Sequence, residues 1–93
     1  ALLSFHRPYA SICQALQGAV DGYIEAVPLF PNAAVICNEE GRLLGLRPNC
    51  FLGGTAFVGT VLVVGVKGYR FCSLMKNDIE KIMARLAGQE EAP

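Results

Sequence analysis

The sequence predicts a single α+β domain: a small antiparallel or mixed sheet of four to five strands with two packed helices, one near each terminus. Three observations predict it. Ninety-three residues suffice for one hydrophobic core and are too few for two. Apolar residues recur at helical spacing near each end, whereas the stretches between are β-branched or alternate apolar with polar. Finally, apolar residues make up 53% of the chain and charged ones 17%, against about 45–50% and about 25% in an average domain. A dense core follows, with apolar surface to spare for a ligand or a second subunit. A homo-oligomer suits that composition.

The elements follow in order. Residues 1–5 suit a short strand, which His6-Arg7-Pro8 breaks. From Ser11, a suitable N-cap, Ile12, Leu16, Ala19 and Val20 fall on one helical face. Gly18 weakens that helix, and Gly22 stands where a terminating C′ glycine would. Residues 23–30 read as a strand, and because proline donates no ladder hydrogen bond, Pro28 means that this strand lies at an edge or ends nearby. Pro31-Asn32 makes a turn into a second strand over residues 33–37. Asn38-Glu39-Glu40-Gly41 is a polar connection with glycine where a positive φ is often needed, and residues 42–46 follow as a third strand, giving an antiparallel meander.

Residues 51–66 carry no charge and are the most hydrophobic part of the chain. A membrane helix needs about 20 such residues. This run is shorter, β-branched and rich in glycine, so it reads as a buried central strand over residues 56–66. Lys67-Gly68 turns the chain. The final helix, capped by Ser73 or Asn77, turns Leu74, Ile79, Ile82, Met83 and Leu86 inward. Asp78 and Glu80 lie early in it and Arg85 late, as the helix dipole favours, and Gly88 stops it before a tail over residues 89–93.

Several function classes lose support. Eight basic and eight acidic side chains cancel, whereas a nucleic-acid binder gathers a basic excess on one face. Cys13, Cys37, Cys50 and Cys72 show no C-x-x-C pair and sit in apolar stretches. They read as reduced core residues rather than a disulfide framework, although four cysteines permit three pairings. With one histidine and no cysteine pair, no metal or other cofactor is expected. Glu39-Glu40 reads as a solvated turn. The stretch from Gly54 to Thr60 mimics P-loop glycine spacing, but the lysine that should follow the second glycine is absent. A catalytic cysteine would need His6 as its base, and Glu25 with Glu39 is a carboxylate pair that no spacing demands. The chain is therefore expected not to be an enzyme. No secretory leader pattern is visible, so a cytoplasmic location away from the membrane is the expectation.

What remains is a polar and aromatic set beside the strands: Tyr23 and Glu25, which alternate with Ile24 and Ala26, then Asn38, Arg42, Arg47 and Asn49. Stacking, amide contacts and phosphate pairing from these six would suit a small polar ligand such as a nucleotide. Taken singly, each has an ordinary role on an outer strand face or in a turn.

Gly22-Tyr23-Ile24-Glu25, Ile36-Cys37-Asn38-Glu39-Glu40-Gly41, Pro48-Asn49, Gly59-Thr60 running to Val64-Gly65, Phe71-Cys72-Ser73-Leu74 and Asp78-Ile79-Glu80-Lys81 occur in that order. The pattern resembles a family of uncharacterised small domains of bacteria, phages and mobile elements, over roughly residues 11–86. Members of that family usually open with a strand before the first helix, which here is short. They also place a polar stretch after the Pro-Asn block, where this chain has apolar residues 51–58. The resemblance implies fold and a mobile-element context. The expected function is sequestration of a small nucleotide-like host molecule, such as an immune signal. Two other readings stand beside it: a protein–protein adaptor or inhibitor of a host enzyme, and a small hydrolase.

Overall fold

The computed structural model describes residues 9–88, with side chains from Gln14 onward. The expected first strand, the His6-Arg7-Pro8 break and the C-terminal tail lie outside the described residues. The order is α1 (Tyr9–Val20), β1 (Ile24–Phe30), β2 (Ala33–Asn38), β3 (Pro48–Leu52), β4 (Thr55–Val58), β5 (Leu62–Lys67), β6 (Arg70–Cys72) and α2 (Lys76–Ala87). Four strands form one antiparallel sheet in the order β1-β2-β5-β6, and β3 and β4 pair as a separate antiparallel hairpin. The predicted α+β class, with one helix near each end, is the one observed.

Strand alternation explains the layering. Ala33, Val35 and Cys37 of β2 and Val63 of β5 pack with Leu52, Phe57, Leu74 and Ile82 on one face. Ala34 and Ile36 of β2 and Leu62 and Val64 of β5 pack against Leu16 and Val20 of α1 on the other. All six residues of β2 are therefore buried, which accounts for its near-continuous apolar sequence. Each fully buried aliphatic side chain contributes about 1.5–3 kcal/mol. On the α2 layer, Lys81 Nζ and the Arg85 guanidinium lie 5.4 and 5.0 Å from the Phe30 ring centre, a cation–π clasp on the end of β1.

Among the described residues β1 is an edge strand, one of the two outcomes that Pro28 allows. Its register, together with the Glu39 N–H to Tyr23 C=O bond at 2.9 Å, turns the backbone groups of Tyr23, Glu25 and Val27 toward β2. Pro28 falls in the other set, facing away from β2, where its missing N–H removes no ladder bond.

Several boundaries differ from expectation. α1 begins at Tyr9, so Ser11 lies inside its first turn and is not its N-cap. The left-handed residue after α1 is Asp21 (φ 57), one place before the glycine expected there. The Gly22 N–H then donates to Gln17 C=O at 3.1 Å, the six-to-one bond of a Schellman ending. Gly22 is needed for a different reason: a Cβ there would come within 2.6 Å of Asn38 Nδ2.

Residues 42–46 do not form the third strand of a meander. They continue a run of turns held by Leu44 N–H to Glu40 C=O (2.9 Å) and Leu46 N–H to Gly41 C=O (3.1 Å). The left-handed glycine is Gly45 (φ 68), not Gly41. Gly41 instead allows close packing, since a Cβ would meet Val58 Cγ2 at 3.0 Å. The place beside β2 goes to β5, whose β-branched side chains can be buried on both faces. The expected strand over residues 56–66 is divided between β4 and β5. Gly53 and Gly54, both at positive φ, close the two-residue β3–β4 turn.

β6 is an addition, paired with β5 through a two-residue Gly68-Tyr69 turn. Neither Ser73 nor Asn77 caps α2: its N-cap is Met75, which makes no side-chain capping bond. Ile82 is buried and Ile79 half-buried as predicted, but Met83 is 54% exposed because it lies off the stripe that faces the sheet. Cys37, Cys50 and Cys72 are free thiols, the first buried and the others half-buried. No helix among the described residues is long and apolar enough to cross a membrane.

Candidate functional site

A hollow of about 390 Å³ opens beside the β1–β2 pair. Glu25 and Val27 of β1 and Cys37 of β2 line it from the sheet, residues 38–43 form one rim, and residues 55–58 of β4 form the other. The hollow exists because β2 ends in turns instead of another strand, while the β3–β4 hairpin folds back alongside. The Arg42 guanidinium closes the gap between the two rims, donating from Nη2 to Ala56 C=O at 2.7 Å.

Asn38 sets the polar rim. Its Oδ1 accepts from Glu40 N–H at 2.8 Å, an Asx turn that directs the chain through Glu39 and Glu40. Its Nδ2 donates to Val20 C=O at 3.1 Å and Asp21 C=O at 3.2 Å. The residue is only 8% exposed, and its amide ties the end of α1 to the rim of the hollow.

Electrostatically the lining is lopsided, with the carboxylates of Glu25, Glu39 and Glu40 against the Arg42 guanidinium. Among the described residues, Cys37 is the one thiol that lines the hollow. Its Sγ lies 3.8 Å from Glu25 C=O and 3.9 Å from Glu25 Oε1, weak contacts for an S–H donor. Burial, then the Glu25 charge and that hydrogen bond, push its pKa above the ordinary thiol value. A thiol so placed stays protonated and is a poor nucleophile. Among the described residues, no group of three or more His, Cys, Asp and Glu side chains is placed to hold a metal.

The six residues singled out from the sequence divide between places. Glu25, Asn38 and Arg42 meet at the hollow. Tyr23 precedes β1, is 71% exposed, and lines a shallow depression with Gln14 and Gln17 of α1. Asn49 Nδ2 donates to Gly59 C=O at 2.7 Å, and Arg47 C=O accepts from Gly59 N–H at 2.6 Å. Those two residues brace the base of the β3–β4 hairpin and do not line the hollow. Glu39, Glu40, Leu43 and Thr55 line it and were not singled out. The available signal was Asn38 itself, whose Asx-turn chemistry places Glu40 two residues on.

Comparison with the curated proteins and with the solved structures found no match. Residues 5–87 match the family described as Domain of unknown function (DUF3846). Covering nearly the whole chain, from ahead of α1 to the end of α2, that match shows that this protein belongs to the DUF3846 family, an uncharacterised family of small domains.

Proposed function

We propose that this domain is a non-catalytic binder of a small polar ligand, seated in the hollow between the residue 38–43 rim and β4. The hollow itself carries the reading. Its volume of about 390 Å³ lies in the range of about 300–1,000 Å³ usual for small-molecule sites, and it combines an apolar floor with a few polar groups. The carboxylates of Glu25, Glu39 and Glu40 suit hydroxyl and amino donors, as on a ribose or a base. Arg42 spends one guanidinium donor on Ala56 and suits one phosphate. Three carboxylates against one guanidinium weigh against a polyphosphate, so a nucleoside or a molecule with a single phosphodiester fits best. The protonated Cys37 favours binding over covalent catalysis. For a domain of phage or mobile-element origin, such a binder would sequester a nucleotide-derived immune signal of the host.

The test is native mass spectrometry of the purified protein with a panel of nucleosides, nucleotides and cyclic dinucleotides. A discrete increment that releases the intact compound on denaturation, and that Glu25→Lys abolishes, supports the reading. Apo spectra throughout the panel overturn it.

A second reading is a protein–protein adaptor. Leu43 (85% exposed) and Leu44 (61% exposed) project from the same rim, an arrangement that suits a protein partner. It predicts a partner that is recovered with the wild-type protein and lost with the double variant Leu43→Ser, Leu44→Ser.

A further inference from the structure

A net charge of zero conceals where the charges sit. Of the eight Lys and Arg side chains, Lys67, Arg70, Lys76, Lys81 and Arg85 fall in the last third of the chain, and the fold gathers them at one end of the sheet. The Val66 N–H donates to Asn32 C=O at 2.9 Å, which joins the β5–β6 hairpin to the β1–β2 turn. Asn32 Nδ2 lies 3.9 Å from the sulfur of Met75, the residue before Lys76. Lys81 and Arg85 stand over Phe30, two residues ahead of Asn32. The carboxylates of Glu25, Glu39 and Glu40 line the polar hollow at the other end. On α2 itself, Asp78 is buried and Glu80 lies on the side away from Ile82.

Strand register decides which way the hairpin points its charges. Val66 pairs with Phe71 and turns with it to the α1 face, where Phe71, Ala26, Pro28 and Ala34 line an apolar hollow of about 330 Å³. Lys67 pairs with Arg70, so both side chains turn to the opposite face, on which Val63 of the same strand packs with Ile82. Gly68 (φ 63) closes the two-residue turn between them and leaves Tyr69 at its tip, fully exposed. Lys67, Arg70, Lys76 and Lys81 are exposed as well. The basic excess on one face that a nucleic-acid partner requires is therefore present, although the composition hides it.

We propose that this end of the domain docks single-stranded nucleic acid. A base stacks on Tyr69, and the phosphates around it pair with Lys67, Arg70 and Lys76. The exposed ring decides among anionic partners. Bases of a duplex are already stacked on both faces, whereas an unpaired base offers a free one. A bilayer surface would need more apolar area than one ring and the half-exposed Met75 supply. The surface lies away from the polar hollow, and its role does not depend on the ligand proposed there.

The experiment is fluorescence anisotropy of a labelled oligothymidylate, about twelve nucleotides long, titrated with the protein at about 50 and about 200 mM salt. An abasic strand of the same length and charge, and vesicles of phosphatidylglycerol in phosphatidylcholine, are the parallel probes. The expected result is saturable binding of oligothymidylate that weakens roughly twentyfold between the two salt concentrations, as about three phosphate contacts require. The double variant Lys67→Gln, Arg70→Gln reduces that salt effect to about threefold. Tyr69→Ser weakens oligothymidylate binding about tenfold and leaves the salt effect and the abasic strand unchanged. These positions are exposed, and circular dichroism reports whether each variant keeps the fold. No saturable binding of oligothymidylate, equal binding by wild type and Tyr69→Ser, an unchanged salt effect in the double variant, or binding of the vesicles alone overturns the proposal.

Discussion

β1 presents two unlike faces. Toward the α2 layer it offers Glu25 and Val27, and with the acidic rim they line a polar hollow. Toward the α1 layer it offers Ala26 and Pro28, and with the β5–β6 hairpin they line an apolar one. One seven-residue strand thus supplies both hollows through period-two alternation. The difference comes from what each helix leaves uncovered. A hollow bounded by turns acquires backbone-directed polar groups, whereas one bounded by a hairpin wall inherits the side chains of strands.

The comparison can be broken first at the two cores beneath these faces. Leu16→Ala on the α1 side and Ile82→Ala on the α2 side each remove a side chain with no exposure. Each should cost about 2–5 kcal/mol in denaturant unfolding. A small loss at one would mean that its helix contributes little to holding that face.

Asn38→Ala should cost about 1–3 kcal/mol, because the Val20 and Asp21 carbonyls lose their donor and Glu40 N–H its acceptor. The amide signals of Glu39, Glu40 and Gly41 should move with it, while those of the β5–β6 hairpin stay in place. Movement at both would show that the two hollows are coupled.

The thiol at the polar face sharpens the contrast by pH. The Cys37 pKa is raised in the folded state, so its contribution to stability is fully present below the unfolded thiol value near 9.0. It is lost as pH rises through the folded value, because the unfolded chain releases that proton first. Urea midpoints should therefore fall above about pH 9, and the fall should be shallower in Cys37→Ala. Burial also raises the Cys50 pKa, so Cys50→Ala is the comparison that isolates the Cys37 share.

The smallest effect belongs to the apolar wall. Tyr69→Ser at a fully exposed position should change stability by no more than about 0.5 kcal/mol. A larger loss would mean that the ring packs in solution.

The sequence made the two helices, β1, β2 and the buried stretch of β5 legible because periodicity and burial agree there. Pro28 narrowed β1 to an edge or an early end. The turn run after Asn38 was not legible: Arg42 to Leu46 is apolar enough for a short strand, yet the flank of β2 is taken by β5. β6 was missed because three residues give no period to read. Of the candidate site, Glu25, Asn38 and Arg42 were named from their types. Glu39 and Glu40 were set aside as a solvated turn, and nothing in local spacing reveals that the β3–β4 hairpin folds back to face them. Arg47 and Asn49 carry the same chemistry on paper, yet Asn49 is occupied with Gly59 and Arg47 lies beside that brace.

Pro28 also bears on how the protein behaves when crowded. Among the described residues nothing pairs with the outer side of β1, and a strand added there would find paired donors and acceptors at Ile24 and Ala26 and then, at Pro28, an acceptor with no donor. A side-by-side ladder of chains would stall after two residues. The opposite edge, β6, is only three residues long. For a chain this apolar, those two interruptions guard against edge-to-edge fibre growth.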